Sequence, residues 1–286
     1  MMMRMLMRRS LTLAGIHLLA GSGAAHARAA APERFVVYYS NQARVADFAP
    51  YRWAVLDTDF HPPLPGIIAQ GATTFGYLSA GEAERNRAYF NTIPPGVLLD
   101  ENPNWPGSFY ADVRRPEWRA LMLDQLLPAL LARGFQGVFL DTLDNPPFLE
   151  ARDPRRFAGM TAAAAELVRA IRARHPRLPI MLNRAYELHA AAGDAVDIVL
   201  AESLLGGYDF ARRRYQAVDA DGVRWGMARL AELQRAHPRV RIFTLDYWDP
   251  TDTAGIRRLY AAQRRQGFVP YVATVDLHRI VREPRA

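Results

Sequence analysis

The sequence predicts a single-domain α/β fold, an eight-stranded (β/α)8 barrel, and three observations predict it. Eight short apolar or β-branched runs each close on a polar residue. Helix-patterned stretches lie between several of them, which argues for parallel strands, and strands apolar throughout are buried on both faces. About 260 residues follow the N-terminal segment, close to the roughly 250 that a closed barrel uses. A doubly wound open sheet is the rival architecture. Against its dinucleotide-binding version, no G-x-G-x-x-G follows the first strand.

In chain order the first element is a targeting segment. Arg4, Arg8 and Arg9 precede an apolar run over 11–20, and Ala25-His26-Ala27 has the small–x–small form of a cleavage site. Residues 1–27 are therefore expected to be a cleaved signal peptide. The run is shorter than the ~20 residues of a bilayer span, so no stable membrane insertion is expected after cleavage. Arg8-Arg9-Ser10-Leu11 loosely resembles a twin-arginine signal. The remaining domain, 28–286, is expected in the periplasm or outside the cell. The chain has no cysteine, so core burial alone must hold it there.

The strands are expected at 35–40 (FVVYYS), 53–57 (WAVLD), 73–79 (TTFGYLS) and 137–141 (GVFLD), then at 179–183 (PIMLN), 197–202 (DIVLAE), 240–246 (VRIFTLD) and 268–274 (FVPYVAT). Apolar residues recur at helical spacing over 117–133, 158–174 and 255–266. Pro128 inside the first of these predicts a kink. Pro50 and Pro62-Pro63 predict stunted helices in the first two connections. Residues 80–115 carry neither signal and are expected to form a long loop over the barrel after strand three.

All 36 basic residues are arginine, against 29 acidic ones, a balance of +7; the three arginines of the signal segment account for three of these charges, leaving +4. They are scattered, with no basic stripe interleaved with aromatics, so no nucleic-acid partner is expected.

A barrel of this kind carries its chemistry where strands end at the C-terminal face. There stand Asp57, Glu82, Asp141 with Asp144, Glu202 and Asp246, with Asn183 closing a sixth strand. Glycoside hydrolysis asks for such a set: one carboxylic acid protonates the leaving oxygen, and one carboxylate attacks C1 or activates water. Asp141 follows GVFL and Glu202 follows IVLA, positions where a carboxylate is costly unless it faces the open mouth or is paired. They are the catalytic candidates. Asp57, Glu82, Asp144, Asn183 and Asp246 are expected to bind or orient the sugar, and Tyr39, Tyr77, Trp105 and Tyr247 to supply aromatic platforms. Asp144 also suits a cap or Asx turn, and Asp112 a helix cap. No histidine closes a strand, so no metal or other cofactor is expected; carboxylates alone would take only a hard cation such as Mg2+ or Ca2+. No G-x-S-x-G elbow is present for a serine hydrolase.

At these residues the sequence resembles glycoside hydrolase family 114, the endo-α-1,4-polygalactosaminidases and their relatives. The matching segments are 76–82 (GYLSAGE), Trp105-Pro106-Gly107 with 111–114 (ADVR), and 134–144 (GFQGVFLDTLD), followed by Asn183 and Ala201-Glu202-Ser203. Gln136 stands where the family pattern has Asp. The resemblance implies a (β/α)8 fold and endo-hydrolysis of α-1,4-linked galactosamine or N-acetylgalactosamine polysaccharide, a galactosaminan-like partner. It also implies that Asp141 and Glu202 stand where the family's proposed catalytic carboxylates stand. A non-catalytic polysaccharide-binding barrel, a hydrolase of another α-linked glycan and a metal-dependent barrel enzyme are the competing readings.

Overall fold

The computed structural model describes residues 33–284, so the expected signal peptide lies outside the described residues. The strands form where the apolar runs placed them: β1 Phe35–Tyr38, β2 Trp53–Leu56, β3 Thr73–Ser79, β4 Gly137–Asp141, β5 Ile180–Asn183, β6 Ile198–Glu202, β7 Arg241–Tyr247 and β8 Val269–Ala273. They pair in parallel, and their order in the sheet is their order in the chain. The sheet curls until β8 comes round beside β1, where Tyr39 N donates to the Leu277 carbonyl at 2.9 Å. This is a (β/α)8 barrel.

Phe35 on β1 and Trp53 on β2 pack on Phe243 of β7 with ring centroids 4.8 and 5.0 Å apart. None of these strands neighbours β7, so the contacts cross the interior and fill the N-terminal half of the barrel with aromatic side chains. The guanidinium groups of Arg241 and Arg52 lie 4.5 and 4.9 Å from the Trp53 ring and cover that end. With the bottom filled, the barrel interior opens at its C-terminal mouth.

The prolines act as expected early in the chain. The first connection holds only a 3-10 turn, Val45–Phe48, and the second a six-residue helix, Leu64–Ala69. At Pro128 the outcome is gentler than a kink. A π-helical turn, Leu121–Leu126, joins Pro116–Ala120 to Leu127–Ala132, and its extra residue accommodates the proline that cannot donate to the preceding turn. Helices Met160–Arg174 and Thr253–Arg265 follow β4 and β7 as the patterns predict. Ala220–Ala236 follows β6, with the Asp219 side chain accepting from Gly222 N at 2.7 Å as its cap.

The segment 80–115 is not a plain loop. It folds into a three-stranded antiparallel sheet, Glu82–Glu84, Leu98–Glu101 and Ser108–Ala111, with the last strand in the centre. A second insertion after β6 is the hairpin Gly206–Asp209 with Arg214–Ala217. The two insertions leave the rim on either side of β4 and β5. Their tips meet where Trp105 packs edge-on against Phe210 at 5.2 Å. Among the described residues no helix is long and apolar enough to cross a membrane.

Candidate active site

Asp141 ends β4, and its position is fixed from β3. Ala80 N donates to the Asp141 carbonyl at 2.9 Å. Thr142 follows with φ of 65°, a conformation its branched side chain adopts only at a cost. What holds it there is its hydroxyl, which donates to the Asp141 carbonyl at 2.6 Å, accepts from Gly81 N at 2.8 Å and lies 3.0 Å from Ser79 Oγ. Gly81 has no alternative residue at this approach, since a Cβ there would meet the Thr142 carbonyl oxygen at 2.1 Å.

The two catalytic candidates converge. Asn183 ends β5, between β4 and β6, and its single Nδ2 donates to Asp141 Oδ1 at 2.8 Å and to Glu202 Oε2 at 2.7 Å. Those two oxygens therefore lie no further apart than the sum of the two bonds, 5.5 Å. Asp141 Oδ1 also accepts from Thr142 N at 2.8 Å. Both donors fall on one oxygen, and Oδ2 has no hydrogen-bond partner among the described residues. Glu202 Oε1 accepts from the Tyr247 hydroxyl at 2.5 Å. Asn183 Oδ1 is buried without a protein partner.

Burial, and after it the neighbouring Glu202 charge, pushes the Asp141 carboxyl up to about 7, against the pull of the Asn183 donor. Asp141 therefore keeps its proton to higher pH than a free aspartate does. The partners distinguish the two groups. Among the described residues Asp141 meets N–H donors from Asn183 and Thr142, whereas Glu202 also accepts from the Tyr247 hydroxyl. Burial and then the Glu202 charge hold the Tyr247 phenol well above its usual range, so it keeps its proton. Burial and the charges of Asp141 and Glu202 do the same for Tyr39, whose ring packs on Tyr77 at 5.3 Å.

The remaining sequence candidates divide. Asp144 lies near the pair and faces Arg184 at 3.7 Å; it occupies the cap position of helix Asn145–Arg152 without a side-chain cap bond. Burial raises its carboxyl, with Arg184 opposing. Tyr77 donates to Glu84 at 3.2 Å. Trp105 is 53% exposed at the tip of the first insertion.

Three carboxylates expected to meet the sugar are instead engaged by the protein. Asp57 is clamped by Arg87 at 2.8 Å and accepts from Asp59 N and Phe60 N. Glu82 is 3% exposed and accepts from Asn102 and Asn145 at 2.7 and 2.6 Å and from Ser108, which pins the first insertion to the barrel. Asp246 is 1% exposed, taken up by Leu205 N, Gly206 N and Gln263, and so fixes the start of the second insertion. Asp112 is not a helix cap either: its carboxylate pairs with Arg114 at 2.8 Å, and the helix starts from Arg115 without a side-chain cap.

A two-carboxylate centre of this geometry is what glycoside hydrolysis requires, and comparison with known proteins decides the class. The model of glycoside-hydrolase family GH114 matches residues 22–285. The chain belongs to this family. It is a glycoside hydrolase. An uncharacterised protein of Deinococcus radiodurans is 30% identical over 254 residues, covering 85% of this chain and 80% of that protein. Among solved structures, the glycoside hydrolase domain of PelA from Pseudomonas aeruginosa superposes with a TM-score of 0.78 at 27% identity, covering 87% of this chain and 97% of that one. Ega3 from Aspergillus fumigatus, solved in complex with galactosamine, shares the fold at TM-score 0.64 and 17% identity, over 87% of this chain and 94% of that one.

Sequence reasoning missed residues that line a cleft at Glu202. Arg184, directly after Asn183, and Tyr186 and Trp225 line the cleft beside it. Trp225 left a trace in the sequence, because it falls off the buried Gly226–Leu230–Leu233 stripe of its helix. An aromatic on the polar side of an amphipathic helix is the signal that was available.

Proposed function

We propose that this hydrolase is exported and cleaves α-1,4-linked galactosamine or N-acetylgalactosamine polysaccharide within the chain, with retention of configuration. The observation that carries the mechanism is the Asn183 bridge. Carboxyl groups about 5–5.5 Å apart suit retention, and roughly 6.5–9.5 Å suits inversion; the bridge keeps the facing oxygens within 5.5 Å. Asp141 Oδ2, free of protein donors, attacks C1 as the bond from C1 to the leaving oxygen breaks. Glu202 gives that oxygen its proton. Water then attacks C1, loses a proton to Glu202 and displaces Asp141 from the ester.

The substrate class rests on the family and on the neighbour Ega3, whose structure holds galactosamine. A partly deacetylated galactosaminan is cationic, and of the strand-end carboxylates Asp57, Glu82 and Asp246 are already engaged by the protein. Attraction falls to Asp141, Glu202 and Asp144. Incubation of the mature protein with α-1,4-galactosaminan should release oligosaccharides of several lengths early in the reaction, read by mass spectrometry. Proton NMR of the first products should show the α-anomer. A β-anomer as first product sinks retention; release of monosaccharide alone sinks endo-cleavage; no product from any galactosaminan sinks the substrate class. Asp141→Asn and Glu202→Gln should each fold and lose at least about 10^3-fold in kcat, in the range of general-acid and nucleophile deletions.

A further inference from the structure

A cleft of about 180 Å³ opens beside Glu202, lined by Arg184, Tyr186 and Trp225 and floored at the helix Ala220–Ala236 by Gly222 and Gly226. Asp141 is not among its lining residues. The cleft therefore reaches Glu202 without being walled by Asp141. Trp225 is 48% exposed and meets Tyr186 edge-on at 5.5 Å. Gly226 lets the helix come this close, since a Cβ there would meet Leu204 Cδ1 at 2.6 Å.

Arg184 is brought there by an unusual turn. It and Ala185 have φ of 50° and 44°, two successive left-handed residues that are not glycine. Each such residue costs of order 1–2 kcal/mol, a strain that clusters at ligand sites. The Arg184 side chain is 42% exposed, and its ion-pair partner, Asp144, stands at 3.7 Å. That leaves most of its donors open to a ligand.

We infer that this cleft is the leaving-group subsite, and that it takes an N-acetylated hexosamine in preference to one bearing a free amine. The inference rests on the proposed substrate class and goes one step past it. The glycosidic oxygen must touch Glu202 to receive its proton, and its C1 must touch Asp141. The departing sugar then lies beyond Glu202, in this cleft. Trp225 and Tyr186 offer apolar ring surface to a pyranose face. At C2 the two kinds of sugar differ by a charge. A free amine is an ammonium near neutrality and is repelled by the guanidinium, whereas an acetamido carbonyl accepts a hydrogen bond from it. At the moment of transfer Glu202 carries a proton and no charge. Asp144 and Glu187 are then the carboxylates near Arg184 that offset its repulsion of an ammonium, and Asp144 is already in an ion pair with it.

The test uses the mature enzyme and a partly acetylated α-1,4-galactosaminan, with products sequenced by tandem mass spectrometry. The sugar that leaves becomes the new non-reducing end. N-acetyl groups should be enriched there about fivefold over the polymer average, which corresponds to about 1 kcal/mol. Arg184→Ala should abolish the enrichment, and Arg184→Glu should invert it toward free amine. Trp225→Ala should raise KM and leave the enrichment in place. Cleavage without bias in the wild-type protein, or a bias that survives both Arg184 variants, overturns the subsite assignment alone. Failure to cleave any galactosaminan overturns the substrate class and this assignment with it.

Discussion

Replacing Asp141 with asparagine should make the protein inactive and, at alkaline pH, more stable. The free aspartate value of 3.8 and the value of about 7 at this site are separated by roughly three decades of proton affinity, raised first by burial and then by Glu202. The native state therefore binds a proton here that the unfolded chain releases near pH 4. Stability from this proton is complete below pH 4 and is lost as pH rises through about 7. At 1.36 kcal/mol per decade the full loss is about 4 kcal/mol, and solvent at the open mouth reduces it to about 2–3 kcal/mol. Asparagine has no proton to lose. The stability of the variant relative to wild type should thus grow by about 2–3 kcal/mol between pH 4 and pH 8, whatever constant effect the substitution adds. For a domain of this size that is a relative Tm gain of about 5–10 °C. Thermal or urea unfolding of both proteins at the two pH values measures it. A stability difference that stays flat between pH 4 and 8 refutes the reasoning, because Asp141 would then ionise as an ordinary aspartate. In Glu202→Gln the pH dependence should shrink, since one cause of the shift is gone.

Three other expectations follow from the geometry. Asn183→Ala removes the one donor shared by both carboxylates and should lower kcat by about 100-fold with KM little changed, measured on reducing-end release. Arg87→Ala leaves Asp57, Asp59 and Glu84 without their common partner, and should cost about 3–5 kcal/mol in denaturant unfolding. Gly81→Ala forces a Cβ to within 2.1 Å of the Thr142 carbonyl. It should cost about 3 kcal/mol or more and lower kcat, whereas Gly71→Ala, at φ of 92° with nothing within 4 Å, should cost only about 1 kcal/mol and leave kcat alone.

The barrel was legible because its signal is local. Each buried strand is a run of four to seven residues, apolar on both faces, and needs no knowledge of its neighbour. The insertion after β3 was illegible for the opposite reason. Its strands EAE, LLDE and SFYA are short, and in the first two polar residues dominate or intrude. They hold together through pairing partners up to about 30 residues away, which no local pattern reports. The same asymmetry sorted the carboxylates. Asp141 and Glu202 stand out as charges at the end of apolar strands. So does Asp246, yet Gln263 and the backbone of 205–206 claim it. Asp57 depends on Arg87, thirty residues downstream. Sequence shows where a carboxylate is costly, and only the fold shows which carboxylates the protein has already satisfied.

Two segments that look like separate motifs are halves of one device. GYLSAGE on β3 and GVFLDT on β4 meet where Ala80, Gly81 and Ser79 all bond to Asp141 or Thr142. Glycine at 142 would relieve the φ strain but remove every hydroxyl contact that ties the end of β4 to β3. A side chain at 81 would keep the hydroxyl and displace the carbonyl beside it. The pairing of a strained threonine with an obligatory glycine is thus a single solution to a single problem. It holds one aspartate still at the lip of a barrel, against a neighbouring charge that would otherwise push it away. The nucleophile proposed here needs that restraint more than it needs local ease of folding. For that reason the strain sits at 142, directly after Asp141, and recurs at Arg184 and Ser203, directly after Asn183 and Glu202.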